Sequence, residues 1–87
     1  MAKEVPPEFY AAVDRFIHLA NDMTAEHGTT RISAVIMYAA ARYNAHCMIA
    51  QDPDLQENRE KAVEYMVEQY RMMLQDNIDW LTKLQSE

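Results

Sequence analysis

Glycine is nearly missing from this 87-residue chain, with Gly28 the only one. The two common phosphate-cradling turns, G-x-G-x-x-G and G-x-x-x-x-G-K-[ST], each need more than one glycine for the backbone to approach phosphate, so neither is present. Cysteine is equally scarce. One residue, Cys47, allows no internal disulfide and no Cys-paired zinc site, and it suits a reducing compartment, so the cytoplasm is the expected location. Long apolar runs are lacking too. The longest, Ala34 to Ala41, is eight residues, far short of the ~20 that a membrane span requires. The N-terminal stretch Met1-Ala2-Lys3-Glu4-Val5-Pro6-Pro7 carries no apolar core of the kind an export signal has, so neither standard export nor membrane embedding is expected. Basic charge is in deficit: eight Lys and Arg stand against fourteen Asp and Glu, for a net charge of −6. That balance repels phosphate backbones and removes the counterion-release term behind most nucleic-acid binding. Neither a nucleic-acid partner nor a cofactor is expected.

What remains is rich in helix-forming residues, and apolar residues make up 49% of the chain. Residues 1–87 read as a single domain, and one this small has a marginal core unless disulfides, a metal or oligomerisation supports it. Only Gly28-Thr29-Thr30 and Asp52-Pro53-Asp54 punctuate the sequence after Pro7. The expectation is therefore all-α: three helices over about residues 7–27, 31–51 and 55–85, running up and down, the third long. Pro6-Pro7 suits a helix start, and Gly28 suits a left-handed cap at the end of the first helix. Thr30 is the expected N-cap of the second. Asp54 and Glu57 form the expected capping box of the third.

Each helix has its own hydrophobic pattern. In the first, Phe9, Val13, Phe16, Ala20 and Met23 share a face, flanked by Ala12, Ile17 and Leu19. In the second, fifteen of the nineteen residues from Ile32 to Ala50 are hydrophobic, the pattern of a helix buried on two flanks. In the third, Val63, Met66, Tyr70, Met73, Asn77, Trp80 and Leu84 recur at alternating spacings of three and four, a heptad seam widened by Val67, Leu74 and Leu81. At 1.5 Å per residue the first two helices are each ~30 Å long and the third ~46 Å. About ten residues of the third overhang at that rise per residue, among them Trp80, Leu81 and Leu84. Two arrangements relieve this exposure. Either the third helix pairs with another subunit, or it breaks near Asp76-Asn77 and folds back. The seam runs through Asn77 without losing register, and a lone Asn at such a position fixes register and oligomer state, which favours a homodimer. The expected interface comprises Met66, Tyr70, Met73, Asn77, Trp80, Leu81 and Leu84, completing a bundle by dimerisation.

Four constellations bear on chemistry. Asp14, His18 and Asp22, followed by Glu26, recur every fourth residue opposite the apolar stripe of the first helix; the row is a surface metal candidate at most, and a solvated face is the expected reading. Cys47 follows His46, but adjacent helical residues point ~100° apart, so the two do not form a nucleophile–base pair. Tyr38, Arg42 and His46 stand one turn apart in a helix otherwise committed to burial. They are the candidate anion or carboxylate site, or else Arg42 forms a structural ion pair with an acid elsewhere. Six methionines beyond Met1 suit a plastic core or dimer contact, and Glu57, Glu60, Glu64 and Glu68 form an acidic ridge.

The stretches Phe9-Tyr10, Phe16-Ile17-His18-Leu19-Ala20-Asn21, Tyr38-Ala39-Ala40-Ala41-Arg42-Tyr43-Asn44-Ala45, Glu64-Tyr65, Gln69-Tyr70 and Met73-Leu74 together resemble a small bacterial family. That family is described only as domain of unknown function thirty-one forty-four. The resemblance covers about residues 8–81, and Ala40-Ala41-Arg42-Tyr43-Asn44-Ala45 is its most specific part. It implies an all-helical protein and brings no activity or catalytic residue with it. The functional expectation is thus a non-enzymatic, homo-oligomeric interaction or regulatory module. The alternative is a small-ligand or anion binder, or an enzyme, using an inter-helix site around Arg42.

Overall fold

A computed structural model describes residues 5–86 of the chain, which form three α-helices with no strand among them. α1 spans Pro7–His27, α2 Thr29–Gln51 and α3 Arg59–Gln85. The chain divides into two compact units, one ending at His46 and the next beginning at Cys47. The first holds α1 and most of α2; the second holds the end of α2, the connecting turn and α3.

α1 begins where proline allows. Pro6 lies in extended backbone just outside the helix, and Pro7 opens it, its missing N–H being one that no intrahelical carbonyl would accept. Pro6 itself accepts from the Phe9 N–H at 2.9 Å, and Glu8 sits in the first turn, where the helix dipole favours a negative charge. At the other end Thr24 turns back on its own helix, its hydroxyl donating to the Ala20 carbonyl at 2.9 Å.

Gly28 is the whole connection between α1 and α2. Its N–H closes α1 onto the Thr24 carbonyl at 2.8 Å, while its own carbonyl accepts from Ile32 at 3.1 Å and so starts α2. The expected left-handed helical cap does not form. At φ 86° and ψ 154° the residue instead occupies the mirror-extended region, which only glycine enters readily. An extended exit at positive φ turns the chain within a single residue. The same bond displaces the expected cap: Thr30 lies inside α2, and Gly28 holds the flanking position.

α3 also begins later than its sequence pattern suggests. Residues 53–58 are turns, and the helix opens at Arg59. The cause is Asp52. Its carboxylate accepts from the Asp54 N–H at 2.9 Å and from the Asn58 Nδ2 at 3.1 Å, fixing an Asx-type turn in place of the expected Asp54–Glu57 capping box. Backbone bonds from Leu55 to Asp52 and from Asn58 to Asp54 hold the turn below α3. From Arg59 the helix is unbroken for 27 residues, so the chain does not fold back at Asp76-Asn77.

Among the described residues, Ile32, at 4% exposure, is the one buried hydrophobic residue. Ala20, Met23 and Thr24, in the last turns of α1, are half-buried. The expectation that α2 is buried on two flanks is not met within the chain, for Tyr38, Tyr43 and Ile49 are each exposed. Its apolar residues are spread around the helix rather than gathered into a stripe, so no single packing direction covers them.

Two substitutions test these local arguments. Gly28→Ala meets no neighbouring atom within 4 Å, so its cost is dihedral strain alone; a loss of about 1–3 kcal/mol in urea unfolding is expected. Asp52→Ala removes both acceptor bonds of the turn and is expected to cost about 0.5–1.5 kcal/mol in the same measurement.

Candidate functional site

The Asp14–His18–Asp22 row lies along α1 with all three side chains exposed. Helical spacing lines them up but does not converge them, and among the described residues no group of three or more His, Cys, Asp or Glu is placed to hold a metal ion. Glu26, at the end of the row, faces its neighbour instead, with its Oε1 3.3 Å from the His27 Nε2.

Tyr38 and Arg42 are brought together. The guanidinium carbon of Arg42 lies 5.2 Å from the centre of the Tyr38 ring, one helical turn earlier, in cation–π contact. Both residues are exposed, as is His46 one turn on. The premise that Arg42 needs a partner because α2 buries it is therefore corrected: the guanidinium rests on an aromatic face and points to solvent. Among the described residues, the ion pairs are His27–Glu26 and Arg71–Glu68, neither of which involves Arg42. Tyr38, Arg42 and His46 form an exposed strip of one helix face. Cys47, the next residue, is half-buried and unpaired.

Two shallow depressions are lined by Ala12, Arg15, Phe16 and Leu19 on α1 and by Arg59, Glu60, Val63 and Glu64 on α3. Each is lined by residues of a single helix at spacings of three and four. Such a groove is a property of any helix surface and excludes no water from a reacting group.

The extensive feature is apolar. Along α3, Tyr70, Met73, Trp80, Leu81 and Leu84 are each about half exposed, between 48% and 58%, and Val63 is exposed to the same degree. Met66 is half-buried. Asn77, the polar member of the seam, is exposed and donates from Nδ2 to the Met73 carbonyl of its own helix at 2.8 Å. A second apolar stripe runs along α1, where Phe16 is 74% exposed and Phe9 packs edge-on against Tyr10 at 5.4 Å. The α3 stripe is legible in the sequence, whereas the part played by Asp52, whose turn immediately precedes α3, is not read from periodicity. The Asp-Pro-Asp run followed by Asn58 is the signal that marks it.

No helix among the described residues is long and apolar enough to cross a membrane. No curated protein matches the chain, and no solved structure does. A family model does, over residues 9–81, and it carries the description "protein of unknown function". All of α2, most of α1 and α3, the Arg42 strip and most of the α3 seam fall inside the matched region, and the chain belongs to that family, DUF3144.

Proposed function

We propose that this protein is a non-enzymatic, homo-oligomeric interaction module whose apolar helix faces are covered by another copy of itself. The observation that carries the reading is the exposed seam of α3. Tyr70, Met73, Trp80, Leu81 and Leu84 lie on adjoining positions of one helix, and leaving each large apolar side chain in water forgoes roughly 1.5–3 kcal/mol of burial. The dispersal of the titratable residues along exposed helix faces supports the non-enzymatic part of the reading. A half-buried free Cys47 suits the cytoplasm.

A second reading rests on a different observation. Arg42 is exposed, stacked on Tyr38 and one turn from His46, which presents a positive group beside two hydrogen-bonding side chains. Such a strip suits a carboxylate or phosphate group on a small ligand or partner.

Trp80 is the sole tryptophan, and it lies on the seam, so it reports the first reading directly. Diluting the protein is expected to shift its emission to the red and lower the melting temperature together, since a self-associating fold is stabilised by mass action. A spectrum and melting temperature independent of concentration would count against self-association. Arg42→Met separates the roles of the arginine. A change within about 0.5 kcal/mol in urea unfolding is expected for an exposed residue, where a buried ion pair would lose about 3–5 kcal/mol. If inorganic phosphate raises the melting temperature of the parent protein and not of Arg42→Met, the anion reading stands; equal responses dismiss it.

A further inference from the structure

The two flanks of the α3 seam differ in character, and that difference bears on how two copies meet. With Val63, Tyr70, Asn77 and Leu84 at one set of heptad positions and Met66, Met73 and Trp80 at the other, the residues on either side of the seam are fixed. After Glu60 in the first turn, one flank carries Val67, Leu74 and Leu81. The other carries Ala62, Gln69, Asp76 and Lys83. Each flank of a paired helix touches a flank of its partner, and which one depends on direction. In a parallel pair unlike flanks meet, setting Gln69 against Leu74 and the Asp76 carboxylate against Leu81 of the other copy. In an antiparallel pair like flanks meet: Val67 faces Leu74 and Gln69 faces Asp76, and the carboxylate-against-leucine contact is confined to the ends, where Leu81 faces Glu60.

Side-chain size points the same way. In parallel register Trp80 and Tyr70 would each face their own copies across the seam. Reversing one helix so that α3 overlaps along its full length sets Trp80 opposite Val63, and Tyr70 opposite Met73. Large residues then face small or flexible ones, as close packing requires. In that register Val67 meets Leu74 twice, and Gln69 meets Asp76 twice. Asn77 lies opposite Met66. A parallel pair would bring the two Asn77 amides together, but this amide already has a partner in the Met73 carbonyl at 2.8 Å, so it does not require a second asparagine across the seam.

We infer that the partner of the α3 seam is a second copy of α3 running in the opposite direction, overlapped along its full length. The inference rests on the self-association reading above and adds the direction and register of the pair.

Pulsed electron-spin distance measurements on nitroxide-labelled protein test it. Lys61 and Thr82 are exposed, lie on the face away from the seam, and stand level with each other in the proposed register. Lys61→Cys and Thr82→Cys, each made with Cys47→Ser, place the labels; Glu68→Cys and Gln75→Cys supply a second level pair should either of the first two fail to fold. Native mass spectrometry of the unlabelled parent comes first and is expected to give two copies. Label 61 to label 61, and label 82 to label 82, are expected to be offset along the axis by about 31 Å, from 21 residues at 1.5 Å each. Mixed samples of the two labelled chains are expected to add a far shorter 61-to-82 distance. Short 61-to-61 and 82-to-82 distances with a long 61-to-82 distance would overturn the direction and leave self-association standing. Long distances for all three pairs would remove α3 from the interface. A monomer at every concentration would overturn the self-association reading and this inference with it.

Discussion

An amphipathic helix in water recovers the cost of its nucleation mainly by packing its apolar face, because intrinsic propensity seldom suffices alone. Here that packing is sparse. Ile32 is buried, a few residues in the last turns of α1 are half covered, and the stripes of α1 and α3 lie exposed. The three helices have well-defined ends, yet most of their large apolar side chains face solvent. Faces of that extent call for a cover, and the proposed self-association would supply one without a second gene product.

The boundaries were legible because they depend on residues with few conformational options. Proline at positions 6 and 7 dictates where α1 begins, and proline at 53 limits how far α2 extends. Gly28 marks the break between α1 and α2, although periodicity gives no indication of which positive-φ basin it occupies. The start of α3 departs from its sequence pattern for a related reason. Asp54 and Glu57 have the spacing of a capping box, but the Asp52 carboxylate competes for the same backbone and holds it in a turn. Local spacing lists the possible bonds without deciding which of them forms.

Arg42 shows a different limit. Its neighbours were legible, since Tyr38 and His46 stand one turn away on either side and the ring does meet the guanidinium. Its exposure was not. A helix apolar nearly all round is usually buried, and that rule presumes enough chain to surround it. In 87 residues the surroundings are short, so composition overstated burial along all of α2. Position within the helix is encoded locally, while solvent access depends on everything packed against it.

The two connections in this chain differ sharply in slack. Residues 52–58 form a seven-residue turn pinned by one carboxylate, and a loop of that kind tolerates a change in length by rearranging its own bonds. Gly28 has no such reserve: one residue ends α1 and begins α2 through bonds to both. The two helices are in effect geared together. Advancing α2 by one residue would rotate its faces by ~100° relative to α1. The spacing of residues across this joint therefore behaves as a reading frame for side-chain direction, one that a single insertion would shift for every residue from Thr29 to Gln51.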